Sequence, residues 1–183
     1  MIQALYPPFQ HWSEQGTIWL YSDTHFGDQE LKRGFPNRPD DDAHVRQINQ
    51  KCGRNDTLIL LGDVGDIEFV RKLKGYKILV CGNHDVGHTA YESVFQEVYN
   101  GPLFISARIL LSHEPIDLPF AFNIHGHDHA NKELDAQHLN VCSDVIDYTP
   151  VNFNRLIKSG VLAAIPTVHR ITIDEATVRA NSR

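Results

Sequence analysis

Seven side chains of three ligand types fall in five short clusters: Asp23-Thr24-His25, Gly62-Asp63-Val64-Gly65-Asp66, Gly82-Asn83-His84-Asp85, Ser112-His113-Glu114-Pro115 and Gly126-His127-Asp128-His129. They are Asp23, His25, Asp63, Asn83, His113, His127 and His129. Carboxylate, amide oxygen and imidazole together suit borderline first-row divalent ions such as manganese, iron or zinc, whereas an all-oxygen set would point to magnesium or calcium. A tetrahedral ion takes four ligands, so the set is large enough for two ions. Two ions that share a carboxylate at roughly 3.5–4 Å acidify a water between them and steady both the attacking and the leaving oxygen of an in-line displacement. Two dications, two carboxylates and one hydroxide leave a net charge of about +1, which favours an anionic reactant.

The clusters differ in weight. A shuffled chain of this composition shows Asp-x-His about once, but Gly-Asp-x-x-Asp, Gly-His-x-His and Gly-Asn-His-Asp only roughly 0.1, 0.04 and 0.003 times. Their joint occurrence, in order, is what carries information.

The elements that must position them are short apolar runs: Thr17 to Ser22, Thr57 to Leu61, Lys77 to Cys81, Ile109 to Ser112 and Ala121 to His125. Each reads as a buried strand, and each is followed by one of the clusters. In open α/β sheets the loops at the carboxyl ends of strands converge on a crevice, so convergence of the five clusters is expected. Asp42 to Cys52 and Asp66 to Lys74 carry apolar residues at helical spacing, with Asp66 where an N-cap falls. Strand, loop and helix alternate early, while the later strands have little helix between them, so the expected class is α/β with a mixed or second sheet. Gly126 to Lys132 reads as a polar turn, Asn152 to Lys158 as a last short helix, Thr167 to Ile173 as β-like, and Asn181 to Arg183 as a fraying end.

These residues resemble the calcineurin-like metallophosphoesterases, whose signature is D-x-H, G-D-x-x-D, G-N-H-[DE], a lone His and G-H-x-H. The likeness covers Trp19 to Asn152, a motif-bearing core of about 17–153 with a C-terminal extension of 154–183. It implies two facing mixed β-sheets flanked by helices, a four-layer sandwich, and a site with two divalent metal ions. Asp23, His25 and His129 would hold one ion, Asn83, His113 and His127 the other, with Asp63 bridging. His84 would be the general acid that protonates the leaving oxygen, and Asp66 its orienting carboxylate. Manganese is the expected ion, with iron, zinc, nickel or magnesium as alternatives.

Where the protein Ser/Thr phosphatases of this superfamily carry a phosphate-binding Arg after the second Asp of the second motif, this chain has Ile67, which argues against that role. Asp23-Thr24-His25-Phe26-Gly27, Arg38-Pro39, Leu139-Asn140-Val141 and Tyr148-Thr149-Pro150 resemble the compact single-domain phosphoesterases of bacteria and their viruses. Arg38 and Arg33, with Lys32, are the replacement candidates for gripping phosphate, since guanidinium binds two oxygens at once. The expected substrate is a small, nucleotide-like phosphate ester, diester before monoester.

At 183 residues and 42% hydrophobic, the chain can bury one core, and one domain over 1–183 is expected. A formal net charge of -6 without a polybasic stretch does not favour nucleic acid as a bulk partner. Cys52, Cys81 and Cys142 are an odd, scattered set and read as reduced thiols of a cytoplasmic protein. Met1 to Trp12 lacks the apolar core of a signal peptide, and no run approaches the roughly 20 apolar residues of a membrane span. Two rivals remain: a nuclease of the same superfamily, which would need a basic groove, and a non-catalytic metal-binding or scaffold protein, which would not need His84.

Overall fold

The structure, a computed structural model, describes residues 16–86, 88–132 and 135–166, without the side chain of His88. Four short runs, β1 (Ile18–Tyr21), β2 (Thr57–Leu60), β3 (Tyr76–Val80) and β4 (Glu97–Tyr99), lie parallel in the order β4-β3-β2-β1. Parallel neighbours need a crossover. Helices α2 (Asp41–Lys51), between β1 and β2, and α3 (Ile67–Arg71), between β2 and β3, lie in those crossovers, so the carboxyl ends of these strands share one edge. The side chain of Asp40 starts α2 by accepting from the amide of Ala43 at 2.7 Å, while Asp41 and Asp42 in its first turn and Lys51 in its last complement the helix dipole.

The second sheet contains β5 (Leu103–Ser106), β6 (Ile109–Leu111), β7 (Phe122–His125) and β8 (His138–Asn140) in sequential order. β6, β7 and β8 run parallel and β5 antiparallel, and in the first sheet β9 (Val151–Asn152) pairs antiparallel with β1, so both sheets are mixed.

Two-residue alternation assigns the faces. Ile18, Leu20, Ile59, Leu61, Ile78 and Val80 meet Ile109, Leu111, Phe122 and Ile124 of the second sheet in one core, each buried aliphatic contributing about 1.5–3 kcal/mol. Tyr21, Leu58, Leu60 and Leu79 point the other way, onto Val45 and Ile48 of α2 and Val70 of α3. The fold is therefore an α/β sandwich of two facing sheets with helices. Away from the shared core, the second sheet buries Asn123, His125, His138 and Asn140. Loop atoms satisfy much of that polarity: Asn123 accepts from the amide of Ile116 at 2.8 Å, and Asn140 donates to the carbonyls of Asp128 and Asn131 at 2.6 and 2.7 Å. A single bridge between Ser22 and Cys142 joins the ends of β1 and β8, so the two sheets meet at the edge where the clusters emerge.

The five expected strands and α2 fall within about two residues of their sequence bounds. α3 is shorter than Asp66 to Lys74, because after Arg71 the amides of Lys72 and Leu73 turn back to Phe69 and Val70, dropping Leu73 into the core ahead of β3. The last helix, α5 (Phe153–Lys158), is capped by Asn152. Short elements without a sequence signal complete the fold: α1 (Gln29–Gly34), α4 (His88–Tyr91), β4, β5, β8 and β9. The expected strand Thr167 to Ile173 and the end Asn181 to Arg183 lie outside the described residues, as do residues 1–15. All three cysteines are free, and no helix among the described residues is long and apolar enough to cross a membrane.

Candidate metal centre

The loops after β1, β2, β3, β6 and β7 bring Asp23, His25, Asp63, Asn83, His113, His127 and His129 together. Asp23, His25, Asp63 and His127 have φ of 58°, 41°, 51° and 69°, a left-handed conformation that non-glycine residues rarely adopt and that costs on the order of 1–3 kcal/mol each. Such backbone persists only where its surroundings hold it. The amides of Asp23 and His25 donate to the carbonyls of Gly62 and Asp63 at 3.1 and 2.9 Å, and Ser22 and Thr24 hydroxyls donate to Leu61 and Val64 at 2.6 and 2.8 Å. Asp85 accepts from the amides of Asp63, Val64 and Gly82 at 2.9, 3.1 and 2.8 Å. Space is short as well: a Cβ on Gly62 would lie 2.5 Å from His113 Nδ1, and one on Gly126 would overlap the side chains of Ser22 and Asp23. Two motif glycines thus let the ligand loops pack against one another.

Oδ2 of Asp63 stands between two groups, 3.5 Å from His25 Nε2 and 3.3 Å from His113 Nε2. On one side Asp23 Oδ1 faces His25 Nε2 at 3.8 Å and His129 Nε2 at 3.7 Å. On the other, Asn83 Oδ1 lies 2.9 Å from His113 Nε2 and 3.1 Å from His127 Nδ1, and the two imidazole nitrogens are 3.1 Å apart. Ligand atoms at right angles around an ion with bonds of about 2.1 Å lie about 3.0 Å apart, close to this second spacing.

Hydrogen bonding fixes which imidazole nitrogens face inward. His113 Nδ1 donates to the carbonyl of Leu61 at 2.8 Å, and His129 Nδ1 donates to Asp144 Oδ2 at 2.7 Å. In each neutral ring, Nε2 then presents a lone pair toward carboxylate oxygens. Lone pairs set against lone pairs need a positive charge between them, a bound cation or an added proton. Asp23 Oδ1 and His25 Nε2 are buried without a hydrogen-bond partner, as atoms that ligate a metal are. These residues fit divalent ions. Two overlapping groups meet the spacing for one: Asp23, Asp63 and His113, and Asp23, His129 and Cys142.

Without an ion, a proton on His113 answers the carboxylates. Burial pulls the His113 pKa down but is outweighed by the hydrogen bond to Asp63 and the charges of Asp23 and Asp63, which push it up to about 9. Burial lowers the pKa of His25 against the pull of the same carboxylates. The Asp63 carboxyl is raised by burial but lowered more by His113 and by the His84 amide, and ends below the usual range. Burial, with Asp23 next in effect, raises the Cys142 thiol far above its ordinary value, so it remains protonated.

The other expected site residues are placed differently. His84 is exposed beside the centre, its amide donating to Asp63 Oδ1 at 2.9 Å and its ring 5.6 Å from that of His25. Asp66 does not orient it: its Oδ1 accepts from the amide of Glu68 at 2.9 Å as cap of α3, and no hydrogen bond or ion pair joins it to His84 among the described residues. Arg38 does not present a phosphate grip. It is 7% exposed, its guanidinium paired with Asp144 and donating to the backbone carbonyls of Asp23 and Thr24, so its donors are spent inside the protein. Arg33 is exposed in the last turn of α1, where a cation complements the helix dipole.

Asp144 and Asp85 had no place in the expected site. Asp144 joins Arg38, His129 and Tyr148, whose hydroxyl donates to it at 2.7 Å; burial raises its pKa, but these partners outweigh that and hold it down to about 2. The signal that finds it is the one that finds the motifs, since Asp144 follows the run Leu139–Val141 as Asp23 follows β1.

No family model matches the chain, and no curated protein does. A protein of unknown function from Aquifex aeolicus shares the fold with a TM-score of 0.65 at 26% identity, over 78% of this chain and 98% of that one. A nuclease MPE from Pseudomonas putida aligns with a TM-score of 0.46 at 21% identity, over 61% of each chain.

Proposed function

We propose that the chain is a dinuclear, metal-dependent phosphoesterase of the calcineurin-like superfamily, hydrolysing a small phosphate ester, diester before monoester. The observation that carries this reading is the pair of facing donor groups on either side of Asp63, with buried lone pairs that bound cations would reconcile. Asp23, His25 and His129 would hold one ion, Asn83, His113 and His127 the other, and Asp63 both. Ions there supply Lewis-acid charge for the phosphoryl oxygens and acidify a water; manganese, iron, zinc and nickel all suit mixed oxygen and nitrogen donors.

The chain's own residues contribute order and a proton. Asp144 and the Leu61 carbonyl hold His129 and His113 with Nε2 inward, as partners of ligating imidazoles do. His84 is exposed at the rim with its backbone tied to Asp63, a position suited to protonating a leaving oxygen over the centre. An alkoxide is a poor leaving group, so such a donor accounts for about 10²–10⁴-fold in rate.

The test is turnover of bis-p-nitrophenyl phosphate and p-nitrophenyl phosphate by metal-stripped protein, alone and with manganese, nickel, magnesium or zinc, beside His84→Asn. The expected result is metal-restored hydrolysis, faster on the diester, with kcat about 10² or more lower in the variant and bound metal unchanged. Metal uptake without hydrolysis of any ester would favour a non-catalytic metal-binding protein, and full activity in His84→Asn would remove the acid assignment.

A further inference from the structure

A cleft of about 200 Å³ adjoins the candidate centre on the side of Asn83 and His113, which line both. Its other walls are Cys81 and Gly82 after β3, Asn100, Gly101 and Pro102 between β4 and β5, and Glu114 and Ile116 after β6. We infer that this cleft seats the organic group of the ester, and that it takes one uncharged ring bearing hydrogen-bonding groups, of nucleobase size. The inference rests on the phosphoesterase reading.

Contiguity comes first. A substituent on a phosphorus atom at the centre lies within a few bonds of Asn83, and the cleft opens there. Size limits the occupant: sites for drug-sized ligands run to about 300–1,000 Å³, so this one holds a single ring system and no length of nucleic acid strand.

Charge selects further. No Lys or Arg lines the cleft, and Glu114 is on its wall, so a second phosphate would meet a carboxylate with no counter-charge. Diphosphates and triphosphates are therefore disfavoured. Pro102, Ile116 and Cys81 offer apolar walls. The Cys81 thiol donates to Asn100 Oδ1 at 3.9 Å, so the lining carries an amide NH₂ from Asn100 as donor and the Glu114 carboxylate as acceptor. A donor and an acceptor in a lining that is otherwise largely apolar match a heterocycle better than an aliphatic chain.

The wall is also fixed in advance. Ser112 Oγ donates to the Glu114 carbonyl at 2.6 Å and accepts from Asn123 Nδ2 at 2.9 Å, while Asn123 Oδ1 accepts from the Ile116 amide at 2.8 Å. Strand β7 thereby holds both ends of the segment from Ser112 to Ile116, and binding need not order it.

The structure provides a substitution that tests the cleft. Gly101 lines the cleft, a Cβ there meets nothing within 4 Å, and it is not among the glycines of positive φ, so Gly101→Trp adds an indole at the cleft wall without forcing the backbone. The experiment is calorimetric titration of manganese-loaded protein with inorganic phosphate, methyl phosphate, thymidine 5′-monophosphate and thymidine 5′-diphosphate. Wild type is expected to bind the nucleoside monophosphate on the order of tenfold to a hundredfold more tightly than methyl phosphate, and the diphosphate no better than the monophosphate. Gly101→Trp should abolish that preference and leave the affinity for phosphate unchanged, while Glu114→Lys should shift preference toward the diphosphate. Equal binding of methyl phosphate and the nucleoside monophosphate, or a preference that survives in Gly101→Trp, overturns the cleft assignment while metal-dependent phosphate binding keeps the phosphoesterase reading intact. Absence of phosphate binding by the loaded protein, with no ester turned over, removes that reading and the cleft with it.

Discussion

Asp144 belongs to none of the five clusters, yet it fixes the ring of His129 and neutralises a buried arginine. A carboxylate behind a ligating imidazole sets the tautomer, raises the basicity of the inward nitrogen and is worth about 10- to 100-fold in metal affinity. Asp144→Asn retains an acceptor for His129 but strips Arg38 of its counter-charge in a place where both side chains are almost wholly buried, 4% and 3% exposed. Breaking such a pair costs about 3–5 kcal/mol. The expected outcome is therefore twofold: a lower urea midpoint for unfolding, and manganese affinity reduced about 10- to 100-fold in calorimetry. Arg33→Ala is the comparison, since removing an exposed charge should change stability by less than about 0.5 kcal/mol. If Asp144→Asn binds manganese as the parent does, the carboxylate has a structural role alone. Residue type and spacing were enough to single out the seven converging side chains, because each follows an apolar strand. They were not enough for Arg38, since nothing in a proline-flanked loop reveals that it folds beneath Asp23 with its guanidinium inward.

Between the strands, it is the loops that carry the cost of the site. Four candidate ligands sit in left-handed backbone, and the loops after β2 and β3 are tied together by one side chain, Asp85. Asp85 has no place in the expected site; in the structure its carboxylate collects three amides and the Tyr91 hydroxyl, the last at 3.1 Å. Asp85→Ala leaves those amides without their acceptor in half-buried surroundings, about 1–3 kcal/mol for each that water cannot reach. We expect a fall in thermal midpoint together with weakened metal binding, measured by scanning calorimetry and by metal content after gel filtration. Loss of stability with metal affinity intact would mean that the Asp63 loop holds its shape unaided. The same contrast explains which elements were legible. β1, β2, β3, β6 and β7 announce themselves as continuous buried runs, and α2 by its cap and its apolar positions. The six-residue α1 buries none of its side chains and owes its start to the Asp28 cap, and β4, β8 and β9 have two or three residues each, so pairing rather than periodicity defines them.

For the molecule as a whole, two buried carboxylates, Asp23 and Asp63, lie where the two sheets join, and neither is ion-paired with a Lys or Arg among the described residues. Without metal, the positive charge they require comes from His113, whose pKa they push up to about 9. A histidine held above its unfolded value of about 6.5 contributes stability that is fully present below pH 6.5 and is lost as pH rises through 9, about 3 kcal/mol in total. Metal-stripped protein should therefore lose stability between pH 6.5 and 9, roughly 6–12 °C in thermal midpoint for a chain of this length. Metal-loaded protein moves the other way. An ion needs the neutral imidazole, so binding expels the proton, and apparent affinity should rise about tenfold per pH unit until pH 9 is reached. Stabilisation by a bound ion grows with the logarithm of the ratio of its concentration to the dissociation constant. The gap between the loaded and stripped midpoints at fixed manganese should thus widen across this range, and titration in two buffers of different ionisation enthalpy should report close to one proton released per second-group ion at pH 7.5. A constant gap, with no proton released, would mean that the ion does not take the His113 nitrogen, and that the lone pairs around Asp63 are reconciled by a proton alone.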